Sequence, residues 1–93
     1  MTPTTTMCDK QELVIDAAGK LAKALEDASP SNPAQALIDS AAEDLEAAQE
    51  ALDAARAAMA EEPPDTTTAR TKLQESIDLT ASAMAKLKQA LGL

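Results

Sequence analysis

Residues 29–65 read SPSNPAQALIDSAAEDLEAAQEALDAARAAMAEEPPD, and the prolines near the two ends of this stretch decide how the chain folds. Ser29-Pro30-Ser31-Asn32-Pro33 is a turn in which Asn32 suits the N-cap of a helix, Pro33 its first position and Gln35 its third. Nothing interrupts that helix until about Glu61, because Pro63 and Pro64 lack both the amide and the backbone freedom that another turn requires. Between these limits Ile38, Ala41, Leu45, Ala48, Leu52, Ala55 and Met59 alternate at spacings of three and four, which lines them up on one helical face.

Working outward, a first helix is expected from Asp9, where Asp9 and Glu12 form a capping-box pattern, to about Ala28. Its inward stripe is Val14, Ala18, Leu21, Leu25 and Ala28. Residues 1–8 are polar at the start, contain a proline, and are expected to be a flexible tail ahead of a bundle domain over 9–93. A third helix is capped by Asp65 or one of Thr66, Thr67 and Thr68 and runs to about Leu91, with Gly92 following its last turn. Leu73, Ile77, Thr80, Met84, Leu87 and Leu91 form its stripe.

Folding helices 2 and 3 back on each other at Pro63-Pro64 pairs Ala55 with Leu73, Leu52 with Ile77, Ala48 with Thr80, Leu45 with Met84, Ala41 with Leu87 and Ile38 with Leu91 at an almost constant sum of residue numbers. The same register sets Leu25, Leu21, Ala18 and Val14 against Ile38, Ala41, Leu45 and Ala48. One register that satisfies both turns predicts an all-α fold, an antiparallel up-down-up three-helix bundle with a long helix 2–helix 3 hairpin. A first helix of about twenty residues spans roughly 30 Å and a second of about twenty-nine roughly 43 Å. The hairpin end carrying Met59, Pro63, Pro64 and Leu73 is therefore expected to be an uncovered apolar tip, with Met7 folding over Ala55. Leu13, Ile15, Leu37 and Leu79 fall off the inward stripes, either as isolated surface residues or as a homodimer face.

Twenty-two alanines and no aromatic residue leave the bulk of the core to eleven leucines, three isoleucines, Val14 and the methionines. Close helix approach has to replace large side chains. The absence of histidine removes the commonest general base and metal ligand, and the absence of aromatics removes the stacking surfaces used for bases and flat cofactors. No metal-binding, phosphate-binding or dinucleotide-binding motif occurs, and serine and threonine have no base to activate them, so neither an enzyme nor a cofactor site is expected. A net charge of −8 argues against direct nucleic-acid or anionic-membrane binding. The lone Cys8 forms no internal disulfide, and without a signal peptide or apolar span the expected compartment is the cytoplasm.

The charge is concentrated. Residues 26–65 hold eleven acids against Arg56 alone, while the segments before and after are neutral and weakly positive. Asp39, Glu43, Glu46, Glu50 and Asp53 follow at spacings of four, three, four and three and stack into one stripe opposite Ile38, Leu45 and Leu52. A solvated face is the plain interpretation of such a row. Yet a merely solubilising face would mix lysine with glutamate and gain about 0.2 to 0.5 kcal/mol per pair, whereas this row sets like charges together and loses a similar amount. As a mimic of duplex DNA the row is too sparse, with one charge per about 5.3 Å of helix axis against one per about 1.7 Å.

Pro30-Ser31-Asn32-Pro33 resembles the Pro-x-Asn/Asp-Pro turn of type III secretion needle subunits, small helical hairpins that polymerise. The likeness covers four residues, and this chain has a further helix. The sequence thus predicts a small acidic, non-catalytic protein–protein interaction module, an adaptor or inhibitor that docks a basic protein partner, such as a nucleic-acid-handling protein. The candidate binding residues are Asp39, Glu43, Glu46, Glu50 and Asp53, with Met59 and Pro63 at the hairpin tip. The alternative is a structural or self-assembling helical subunit.

Overall fold

The computed structural model describes residues 3–93, and over these the chain is three helices without a strand: α1 (Pro3–Asp27), α2 (Asn32–Met59) and α3 (Thr66–Leu91). They run up, down and up in a slender bundle measuring 49 × 17 × 15 Å, with the most extensive packing between α2 and α3. The fold is the expected all-α three-helix bundle, and the hairpin about Pro63-Pro64 is its spine.

Several local expectations need correction. α1 begins at Pro3 rather than Asp9, because Thr4, Cys8 and Gln11 continue the inward stripe of Ile15, Ala18 and Ala22 toward the N-terminus. Threonine and glutamine do not register as core residues, so the first two turns read as a tail; Met1 and Thr2 of that tail lie outside the described residues. Asp9 and Glu12 sit inside α1 and cap nothing. Both reach across to α2, where Arg56 donates to Glu12 at 2.7 Å and to Asp9 at 3.3 Å. The N-cap of α2 is Ser31, one residue before Asn32, with its hydroxyl accepting from the Ala34 amide at 3.4 Å. Gln35 does not close that cap; its side-chain amide donates to Glu26 and Asp39. Asp65 caps α3 as expected, accepting from both the amide and the hydroxyl of Thr68, and these bonds hold its carboxyl below the usual carboxylate range.

With 25 residues against 28, α1 covers nearly the whole hairpin. Leu73 is consequently buried with Cys8, Leu52 and Ala55 in the core cluster at that end, and Met59 is half-buried. Pro63 and Pro64 remain exposed. A second cluster, built on Ala22, Ile38, Leu45 and Leu87, fills the opposite end.

Burial also departs from the expected stripes in a consistent way. Val14, Met84 and Leu91, all expected inside, are exposed, while Ile15, Ser76, Ala83 and Ala90 are buried. α1 is turned so that Ile15 replaces Val14, and α3 so that Ser76, Ala83 and Ala90 replace Met84 and Leu91 while Leu73 and Leu87 stay inside. Polar bonds fix that rotation. The buried Gln11 side-chain amide donates to Ser76 Oγ at 3.1 Å and Thr80 Oγ1 at 2.9 Å, and Ser76 in turn donates to the backbone carbonyl of Ala48 at 2.7 Å. All three helices meet in this one network, and every buried side-chain polar atom among the described residues has a partner.

Leu45, buried against Ala18 in the second cluster, should lose about 2 to 5 kcal/mol of stability when replaced by alanine. In the same denaturant titration exposed Glu46→Ala should shift stability by no more than about 0.5 kcal/mol. Gln11→Ala removes two buried hydrogen bonds and should cost about 1 to 3 kcal/mol. Parity of Gln11→Ala with the parent chain would show that the network does not hold α1 in place.

Candidate functional site

The long uninterrupted α2 carries Asp39, Glu43, Glu46, Glu50 and Asp53 along one side, and all five are exposed. Their inward neighbours Ile38, Ala41, Leu45, Ala48 and Leu52 are fixed in the core, so the stripe cannot rotate away from solvent. Its ends are tied down: Gln35 donates to Asp39 at 2.8 Å and Gln49 donates to Asp53 at 3.0 Å. Gln49 also donates to Glu12, which joins this side of α2 to α1.

Glu43, Glu46 and Glu50 make no hydrogen bond or ion pair among the described residues. Arg56, Lys86 and Lys72 are engaged elsewhere, while Lys20 and Lys23 of α1 face this side of α2 without making an ion pair among the described residues. Arg56 is clamped by Glu12 and Asp9, whose hydrogen bonds raise its already high pKa. Lys86 donates to Asp44 and to Ser40, each at 2.8 Å, and Lys72 pairs with Glu75 at 3.3 Å. Asp44, the one acid of this region that turns toward α3, accepts from Lys86 and from Ser82; these bonds hold its carboxyl below the usual carboxylate range.

Alongside the stripe runs an open groove of about 720 Å³ between α1 and α2. Ile15, Ala22, Ile38, Ala42 and Leu45 form its apolar surface, and Asp39 and Glu46 form the α2 rim. On the α1 rim Asp16 and Glu26 alternate with Lys20 and Lys23. Gly19 opens the groove: a β-carbon at that position would meet nothing within 4 Å. A glycine in the interior of a long helix costs about 1 kcal/mol relative to alanine. Its presence keeps α1 thin beside the groove that it lines. The sequence predicted the stripe but not the groove, although the interior glycine was the signal that could have revealed it.

Met59 and Pro63 belong to neither feature. Met59 shares a separate hollow with Thr5, Cys8 and Arg56, and Pro63 is exposed in the turn beyond α2. Burial pushes the Cys8 thiol above its usual pKa, so it is not an activated nucleophile. Among the described residues no cluster of His, Cys, Asp and Glu is arranged to hold a metal ion, and no helix is long and apolar enough to cross a membrane.

Because the folded-state pKa of Asp44 is depressed, its contribution to stability is complete above the unfolded value of about 3.9 and is lost as pH falls through the folded value. Asp44→Asn should therefore be less stable than the parent at pH 7, and the gap should close below about pH 4. Chemical denaturation at pH 7 and about pH 3 checks this, and a gap that widens on acidification would contradict the sign of the shift.

Comparison with protein-family models, with curated proteins and with solved structures finds no match to this chain, so the interpretation of this face rests on its own chemistry.

Proposed function

We propose that this chain is a non-catalytic, cytoplasmic interaction module, an adaptor or inhibitor that docks a basic segment of a protein partner against the acidic side of α2 and the adjoining α1/α2 groove. The observation that carries this reading is the trio Glu43, Glu46 and Glu50, exposed and unpaired, with Glu46 on the rim of a partly apolar groove. Like charges at these helical spacings lower the stability of the free protein, and a partner's lysines or arginines would relieve that repulsion on binding.

A basic amphipathic helix fits the arrangement. Its apolar side would lie on Ile15, Ile38 and Leu45, while its cations reached Asp39 and Glu46 on the rim and Glu43 beyond it on the exposed stripe. Association by such a face is steered by charge and weakens with salt, since the Debye length falls to about 8 Å at physiological ionic strength. A nucleic-acid-handling protein is one source of such a segment, because its own ligand demands an exposed basic surface.

Replacing Glu43, Glu46 and Glu50 with lysine leaves Asp39 and Asp53 with opposite-charge neighbours, so the variant should fold at least as stably as the parent by circular dichroism and denaturation. In a pull-down at low and at physiological salt it should lose the partner that the parent retains at low salt. Gly19→Leu, which fills open space in the groove, should keep the fold and weaken capture of the same partner. Undiminished capture by both folded variants would reduce the stripe to a solvated surface.

A further inference from the structure

The α1/α3 face has the opposite character. Met7, Val14 and Leu21 recur every seven residues on α1, and Ile77, Met84 and Leu91 recur every seven on α3. Gln11 holds α1 with Ile15 and Ala18 inward, and Ser76 and Ala83 take inward places on α3, so Met7, Val14, Met84 and Leu91 are turned outward while Leu21 and Ile77 lie at the edge of the core. Met7 is 49%, Val14 47%, Met84 40% and Leu91 61% exposed, and Leu21 and Ile77 are half-buried.

Two hollows lie along this seam. One, of about 360 Å³, is bounded by Met7, Leu73 and Ile77 together with Arg70; the other, of about 340 Å³, is bounded by Leu21, Met84 and Leu91 together with Lys88. No acid lines either hollow, in a chain with sixteen acids and eight bases. Lys10, exposed and within one helical turn of both Met7 and Val14, adds a third cation. Lys10, Arg70 and Lys88 form no ion pair among the described residues. Asp78 of α3 does not line the hollows and accepts a hydrogen bond from Gln74, which borders the first of them. The seam is apolar at its centre and positive at its edges.

Charge decides between occupants. A second copy laid seam to seam would bring Lys10, Arg70 and Lys88 against the same cations, parallel or antiparallel, and like charges across a contact are disfavoured. The acidic side of α2 from a second copy has the right sign, but alanines such as Ala42, Ala47 and Ala54 flank its carboxylates, and it has no large side chain to enter a hollow. Leu21 lies fourteen residues beyond Met7 on α1, which sets the hollows about 21 Å apart, or two heptads of a docked helix.

We propose that the α1/α3 seam is a second docking site, occupied by an acidic amphipathic helix of a protein partner that places heptad-spaced large apolar residues in the two hollows and Asp or Glu beside Lys10, Arg70 and Lys88. This goes beyond the α2 reading and does not depend on it. If both hold, the chain bridges a basic partner and an acidic one from opposite sides of a bundle 17 Å across.

The test is selection from a displayed library of 21-residue helical peptides with leucine or methionine at heptad positions and flanking positions open to Glu or Lys. Glu-flanked peptides should be enriched on the parent chain. The best of them should bind at least tenfold more weakly to a Lys10→Glu, Arg70→Glu, Lys88→Glu variant, and about equally to the Glu43→Lys, Glu46→Lys, Glu50→Lys variant. Since all three substitutions of the seam variant are exposed, circular dichroism should show its fold intact; a Met84→Ser variant, also tenfold weaker, probes the apolar part separately. Failure to enrich any peptide, enrichment of Lys-flanked peptides, or binding that survives charge reversal on the seam would each overturn the proposal. A salt-insensitive dimer in light scattering that Met84→Ser dissolves would overturn it in favour of a second copy, and capture by anionic vesicles through the same cations would overturn it in favour of a lipid surface.

Discussion

Close approach of helix backbones is the constraint on which this structure depends. The hydroxyl of Ser76, a side chain only two atoms long, reaches the carbonyl of Ala48 in the middle of α2 at 2.7 Å. That is possible only where the facing side chains are small, as Ala41, Ala48, Ala55, Ala69 and Ala83 are, each with no exposed surface. In a chain without aromatic residues, apolar burial per residue is modest, and tight apposition compensates through many short-range contacts. Gln11 then completes the hydroxyl pair of Ser76 and Thr80, so α1 is seated by hydrogen bonds as much as by apolar contact.

The same constraint explains what was legible in the sequence. The hairpin could be read because prolines and caps punctuate it and because the α2 stripe is apolar along its length. The rotation of the two outer helices could not. A hydrophobicity pattern assigns Val14, Met84 and Leu91 to the interior, whereas the packing admits Ile15 on α1 and the small Ser76, Ala83 and Ala90 on α3. The N-terminal turns were hidden for a related reason, since Thr4 and Gln11 are polar, and Gln11 becomes a core residue only once Ser76 and Thr80 accept from it. Of the candidate site, the acidic stripe follows from spacing alone, while the groove beside it needed the actual separation of α1 and α2.

Charge is sorted by face, and the sorting follows from which ion pairs the packing uses. Arg56 and Lys86 lash α2 to its neighbours through Glu12, Asp9 and Asp44. These are partly exposed bridges whose individual worth is small. Their effect on the surface is larger than their effect on stability. With those cations and acids committed, the outer side of α2 is left with unpaired carboxylates and the α1/α3 side with unpaired ammonium and guanidinium groups. The helices are parallel or antiparallel rods, so each sign extends along the length of the bundle as a band.

Cys8, which is 1% exposed between the N-terminal turns of α1 and the end of the hairpin, gives this small bundle an internal clock. A thiol reagent needs more room around Sγ than the closed bundle gives it, so the rate of labelling reports how often that end of the bundle opens. Tyrosine and tryptophan are absent, so intrinsic fluorescence is silent, and the single sulfhydryl is the chain's native reporter of its own breathing.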